Sequence, residues 1–226
     1  MAKDLANGWW TAAAVYRDRR VLSLLFLGFS SGLPFGVLAE PLSAWLVSAN
    51  VSKTEIGLFA LVSIPYSLKF LWAPFVDRLT LPLLTARLGR RRSWALLAQT
   101  VLLASIVAMG GTDPAANLAA TALLAVIVAF ASASQDIVID AYRVEILEER
   151  QLAAGAATTV FGWRLGQVGA GALGLILADI LPWPVVFTLV AALIGIGMLT
   201  ILVNPEPRVV VSEEADAVEE IGRAQV

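Results

Sequence analysis

The stretch VLSLLFLGFSSGLPFGVLAEPLSAWLV, residues 21–47, decides the fold. Its only charged residue is Glu40, and its length exceeds the ~20 apolar residues that carry a helix across a hydrocarbon core. Lys3, Arg17, Arg19 and Arg20 precede it, but the apolar run is too long and too uninterrupted for a cleaved leader. It reads as a first membrane span. Runs of the same kind recur at residues 56–76, 94–110, 115–142, 153–177 and 185–203, which makes an all-α membrane protein of six transmembrane helices.

Composition agrees. Hydrophobic residues make up 58% of the 226 and charged residues 15%, so the bilayer is the solvent for most of the chain. A net charge of −2 gives no polyelectrolyte character that would attract nucleic acid. With no cysteine and no histidine, thiolate nucleophiles and the usual metal and acid/base ligands are absent; no metal or cofactor is expected, and any proton chemistry falls to carboxylates. A membrane-embedded hydrolase would need an activated nucleophile, a metal or carboxylates on facing helices. The strongest carboxylate pair here, Asp136 and Asp140, shares one helix, so an enzyme is not expected.

Six spans return the chain to the side on which it started. Turn residues mark three short outer loops: Ser48, Ala49 and Asn50; Gly111 to Pro114; and Pro182, Trp183 and Pro184. Of sixteen Lys and Arg residues only Lys53 falls in an outer loop. Arg78, Arg87, Arg90, Arg91, Arg92, Arg143 and Arg150 flank the opposite ends, so the positive-inside rule puts both termini in the cytoplasm. The expected organisation is a cytoplasmic segment at 1–20, a six-helix bundle at 21–203 and a cytoplasmic acidic tail or linker at 204–226, with Glu213, Glu214, Asp216, Glu219 and Glu220. Trp9, Trp10, Trp45, Trp72, Trp94 and Trp183 near span ends read as interfacial anchors.

Gly28, Gly32 and Gly36 form a four-residue stripe in the first span; Gly162, Gly166, Ala170 and Gly174 form another in the fifth. Such stripes let helix backbones approach closely where lipid supplies no hydrophobic drive. Around Gly32, Pro34 and Gly36, a proline between glycines frees carbonyls in mid-membrane. The segment is either a tolerated kink or a helix break lining a substrate path.

Lys69, Asp136 and Arg164 lie inside spans, with Glu40 and Asp140 nearer span ends. A charge at mid-bilayer costs at least about 2.5 to 3.5 kcal/mol, so these side chains should face the bundle interior or water. Counting rise per residue places the first three roughly 9 to 16 Å from one surface, at overlapping depths. Asp136 and Asp140 share a helical face with Arg143, while Gln135 is turned away by about 100°. Asp136 is the first candidate for a proton carrier, with Asp140 and Glu40 next; the bland alternative is a static pair between Asp136 and Arg164 or Lys69. On the cytoplasmic side Asp77 and Arg78, then Gly89 and Arg90, bound a loop able to latch helix ends through ion pairs and dipoles. That loop resembles the major facilitator signature with a longer insert.

Four segments together resemble the AmpG-type muropeptide permease family: GFSSGLP at 28–34, LKFLWAPFVDR at 68–78, GRRRSW at 89–94 and ASQDIVIDA at 133–141. The resemblance implies the N-terminal bundle of a major facilitator-type transporter: a multi-pass protein of the bacterial inner membrane that imports anhydro-muropeptides with the proton gradient for cell-wall recycling. It implies a glycopeptide substrate and protons as partners, polar contacts from Gln135, Lys69 and Arg164, and stacking surfaces from Tyr66 and Trp163. The acetyl-CoA transporter family is similar in the LKFLWAP and QD regions and is the alternative substrate class; a channel, or a non-transporting membrane scaffold or partner subunit, is the alternative of another class. Members of the resembled family carry a second bundle, so a C-terminal six-helix half or a second copy is expected beside this one.

Overall fold

A computed structural model describes residues 14–207. Lys3, Trp9, Trp10 and the acidic residues from Glu213 onward lie outside the described residues. Six membrane-length helices follow one another: α1 (Arg19–Ser48), α2 (Lys53–Leu71), α3 (Arg90–Gly110), α4 (Leu118–Ile146), α5 (Glu149–Ala178) and α6 (Trp183–Val203). Side-chain caps start several of them. Asp18 accepts the Arg20 N–H at 2.8 Å, Asn117 accepts the Ala120 N–H at 3.0 Å, and Ser52 with Glu55 forms a capping box. The start of α1 and the end of α6 meet at one end of the bundle, where the Arg19 guanidinium donates to the Val203 carbonyl at 3.3 Å.

α2 is the irregular span. It alternates α-helical and 3-10 turns and stops at Leu71; a separate short helix, Ala73–Arg78, completes the expected 56–76 run. Pro65 and Pro74 each sit in the first turn of a segment, the place where a missing N–H costs least. α2 is also the least covered span, with 6% of its apolar window buried.

The break expected around Gly32, Pro34 and Gly36 falls elsewhere. The helix runs unbroken from Arg19 to Leu38 with Pro34 inside it, and parts at Ala39 before a second segment, Glu40–Ser48. Pro41 is the cause: lying in the first turn of the second segment, it can donate no hydrogen bond to Val37 and its ring crowds that carbonyl. Gly32 and Gly36 serve packing instead. A Cβ on Gly28, Gly32 or Gly36 would collide with the backbone carbonyls of Thr159, Trp163 and Gln167, and one on Gly162 or Gly166 with those of Leu25 and Phe29. The two stripes therefore interlock, parallel and in register, with no side chain between the backbones.

Two apolar clusters form the interior. One, around Leu33, Leu42, Trp45, Met109 and Phe187, fills the end of the bundle near the 48–50 loop; the other, around Leu24, Ile139, Tyr142 and Ile201, fills the end where α1 begins. Trp45 is not an interfacial anchor: it is 5% exposed and packs against Trp183 and Phe187 with centroids 6.4 and 5.0 Å away. Trp183 stays at the span end and donates its indole N–H to Ser48 at 3.0 Å. Trp72 is half-buried, donating to Ser134 at 3.1 Å and stacking on Phe130.

Gly32→Val should be severe, because the obstructing atom is backbone and cannot rotate away; a loss of at least about 3 kcal/mol is expected. Gly195→Ala, where nothing lies within 4 Å of the added methyl, should stay within about 0.5 kcal/mol. Thermal unfolding of both variants in the same detergent checks the contrast.

Candidate functional site

Asp136 projects from α4 toward α1 and α5. The Ser31 hydroxyl of α1 donates to its carboxylate. Together they line a cavity of about 150 Å³ with Asp140, Thr159 and Trp163. The interlocked stripes dictate this meeting, because Gly28 against Thr159 and Gly32 against Trp163 bring Ser31 level with the α5 residues of the cavity. One turn along α4, Asp140 faces Lys69 at 4.0 Å and Arg143 at 3.3 Å. Asp140, with Lys69, Asp77, Arg143 and Glu145, also lines a second cavity of about 660 Å³, so its carboxylate borders both spaces.

The static pair between Asp136 and a cation does not form. Lys69 turns to Asp140, and the exposed Arg164 reaches Gln167 at 3.5 Å while its guanidinium lies 5.2 Å from the Trp163 ring centroid. Trp163 and Arg164 are consecutive on α5, about 100° apart, and the close contact with Gly32 fixes which of them faces the cavity. Among the described residues Asp136 has no ion-pair partner.

Tyr66 and Trp163 are joined by a residue that sequence reasoning missed. Phe35 of α1 lies between them, its centroid 5.6 Å from Tyr66 edge-on and 5.4 Å from Trp163. An aromatic inside an apolar span carries no signal of its own; only the helix register places it here. Ser31 and Thr159 were missed for the same reason. Gln135 is wholly buried and lines neither cavity, so it offers nothing to a ligand there. The 100° turn from Asp136 sends it into the bundle centre. Glu40 is exposed, borders Gly171 across the α1 break, and stands apart from both cavities.

At the arginine-rich end the latch uses different partners from those expected. Arg91, 7% exposed, donates to Asp77 at 2.6 Å and to both oxygens of Glu145, its ε-nitrogen contacts being 2.9 and 3.0 Å. Neither Arg78 nor Arg90 makes an ion pair among the described residues. Gly89 adopts φ 87°, and Glu206 occupies the space a side chain there would need. The Glu206 carboxylate accepts the Arg91 and Arg92 amide N–H groups at 2.8 and 3.0 Å, capping α3. Arg92 in turn donates to the Ile201 and Leu202 carbonyls at the end of α6. No spacing rule could have joined Arg91 to Glu145, 54 positions away. Among the described residues no cluster of three or more potential ligands could hold a metal ion.

Residues 20–179 match a family model described as acetyl-coenzyme A transporter 1. The anhydromuropeptide permease of Escherichia coli is 44% identical over 194 residues, covering 85% of this chain and 39% of the relative. An uncharacterised protein of Haemophilus influenzae is 42% identical, covering 84% of this chain and 44% of the relative. A Rickettsia felis protein bearing the transporter name AmpG 4 is 31% identical, covering 87% and 48%. The chain thus spans less than half the length of these curated relatives. The similarity bears out the resemblance drawn from the four motifs.

Arg91→Gln should unlatch the α2, α3 and α4 ends. Removing one partner of a buried network strands the others, and a loss of about 3 kcal/mol is expected. Arg78→Gln should change stability by less than about 0.5 kcal/mol. Chemical unfolding of the two variants in mixed micelles measures the difference.

Proposed function

The chain belongs to the acetyl-coenzyme A transporter 1 family, and from that premise we propose that it is a six-helix bundle of a proton-coupled carrier importing anhydromuropeptides. Its relatives are named permeases and transporters, not enzymes. The substrate class follows the name of the Escherichia coli relative. The arginine-rich end, with Arg78, Arg87 and Arg90 to Arg92, faces the cytoplasm under the positive-inside rule, which puts both termini on that side; the membrane in this reading is the bacterial inner membrane. A second six-helix bundle supplies the opposite wall of the substrate path.

The observation that carries the proton role is Asp136: a carboxylate within a membrane-spanning helix, hydrogen-bonded by Ser31, bordering a cavity and, among the described residues, lacking a cation within ion-pair distance. Its charge state then answers to the hydration of the cavity, which differs between inward- and outward-open states. Asp140 is compensated by Lys69 and Arg143 and suits charge balance better than proton carriage. Tyr66, Phe35 and Trp163 offer an apolar wall for a sugar ring, and Lys69 with Arg164 offers cations for peptide carboxylates. The family description favours a second substrate reading, acetyl-coenzyme A, whose phosphates the same cations would meet.

Labelled anhydromuropeptide should enter proteoliposomes under an imposed proton gradient when the chain is reconstituted with a complementary six-span bundle. Asp136→Asn should reduce gradient-driven uptake to the no-gradient level while exchange of labelled for unlabelled substrate persists. An unchanged pH dependence in that variant removes Asp136 from coupling. Competition by acetyl-coenzyme A, with none by anhydromuropeptide, selects the second substrate.

A further inference from the structure

On the side of the bundle formed by α1 and α6, a groove of about 350 Å³ runs from the arginine-rich end into the membrane-spanning region. Leu22, Phe26, Leu199 and Val203 line it, each more than 40% exposed. From Arg19 to Phe26 it follows the helix axis for about 10 Å. The polar atoms of its floor are already satisfied internally. The Ser23 hydroxyl donates to the Arg20 carbonyl at 2.7 Å and the Thr200 hydroxyl to the Ile196 carbonyl at 2.7 Å, while the Asn204 amide donates to the Thr200 carbonyl at 2.8 Å. With these donors engaged and the walls apolar, the groove suits an alkyl chain.

Its mouth is cationic. Arg19 contacts the Val203 carbonyl, and Arg92 caps the carbonyls of Ile201 and Leu202, so two guanidiniums converge on the end of α6. Against them stand the partial negative charge of the helix terminus, about −0.5, and the Glu206 carboxylate, which is held on the Arg91 and Arg92 amides. Neither arginine makes a carboxylate ion pair among the described residues, and Arg19 itself lines the groove. Alkyl space below and a cation at headgroup depth describe one kind of occupant.

We propose that the α1/α6 groove binds an anionic phospholipid, an acyl chain lying along Leu22, Phe26 and Leu199 and its phosphate meeting Arg19. The site is separate from the Asp136 cavities and does not depend on the transported substrate. Inorganic phosphate has no alkyl part and should not compete.

The test is native mass spectrometry of the full chain in neutral detergent, titrated with phosphatidylglycerol and phosphatidylcholine of identical chains. One arginine near an anionic headgroup contributes ~1 kcal/mol, so phosphatidylglycerol should bind about fivefold tighter. Arg19→Gln should bring the ratio to about one, whereas Arg150→Gln, at the same end with an exposed side chain, should leave it unchanged. Leu199→Trp, which fills the groove from an exposed position, should weaken both lipids while the protein stays folded. Equal binding of the two lipids by the unaltered chain, or equal losses from Arg19→Gln and Arg150→Gln, would overturn the site in favour of diffuse surface charge. Undiminished binding in Leu199→Trp would overturn it as well.

Discussion

The direct contact between the backbones of α1 and α5 is the constraint on which the rest of the bundle rests. Lipid gives two apolar helices no hydrophobic reason to leave it for each other, so association comes from packing, and packing is strongest where no side chains intervene. Gly28, Gly32 and Gly36 meet the carbonyls of Thr159, Trp163 and Gln167, while Gly162 and Gly166 return the contact against Leu25 and Phe29. Mutual interlocking fixes rotation as well as distance. Any slip would drive a Cβ or a larger side chain into a carbonyl. Trp163 is thereby held against Phe35, and Thr159 with Ser31 is held around Asp136.

Between the two apolar clusters lies a level of polar side chains that stability alone would not select. Ser30, Gln99, Ser132 and Gln135 are fully buried, and Ser30 and Gln99 both press on Gly197 of α6. Antiparallel pairing of α3 and α4, fixed by Arg91 with Glu145 and Thr112 with Thr121, sets Gln99 level with the Gln135 and Asp136 turn. Pro34 adds a carbonyl, that of Ser30, which has no N–H four residues on to receive. The Gln99 and Gln135 amides have no hydrogen-bond partner among the described residues, and unpaired buried polar groups cost stability at that level. The site residues Ser31 and Asp136 stand at the same level, where rearrangement disturbs the least packing.

Much of this was legible in the sequence, because hydropathy over ~20 residues and glycine spacing are properties of one helix at a time. All six spans and both stripes follow from that, as does the meeting of Asp140 with Arg143 on one helical face. What failed needed knowledge of two helices at once. Pro34 and Pro41 look alike in the sequence, yet only Pro41 sits at a parting of the helix. Trp45 lies at a span end, as a lipid anchor should, but faces Phe187 instead. Asp77 was a candidate latch residue, while its partner Arg91, and Glu145 as the second carboxylate on Arg91, could be assigned only after α3 and α4 were set side by side. Gln135 and Asp136 are neighbours in the chain, yet only Asp136 borders a cavity.

The exposed surface divides by what could cover it. Apolar side chains such as Leu61, Leu123 and Ile176, each more than half exposed, are at home in lipid and ask for nothing else. Lys69, Asp140 and Arg164 are different, since each would cost at least about 2.5 kcal/mol facing hydrocarbon at mid-bilayer. They adjoin one another: Lys69 reaches Asp140, Asp140 shares a cavity with Trp163, and Arg164 leans over the Trp163 ring. Lipid is therefore the wrong solvent for that one face and the right one for the opposite side. Water alone would satisfy the charges but not the aromatic wall of Phe35, Tyr66 and Trp163 beside them. A surface that alternates charge and aromatic area in this way asks for polar and apolar cover at once, which neither hydrocarbon nor water supplies alone.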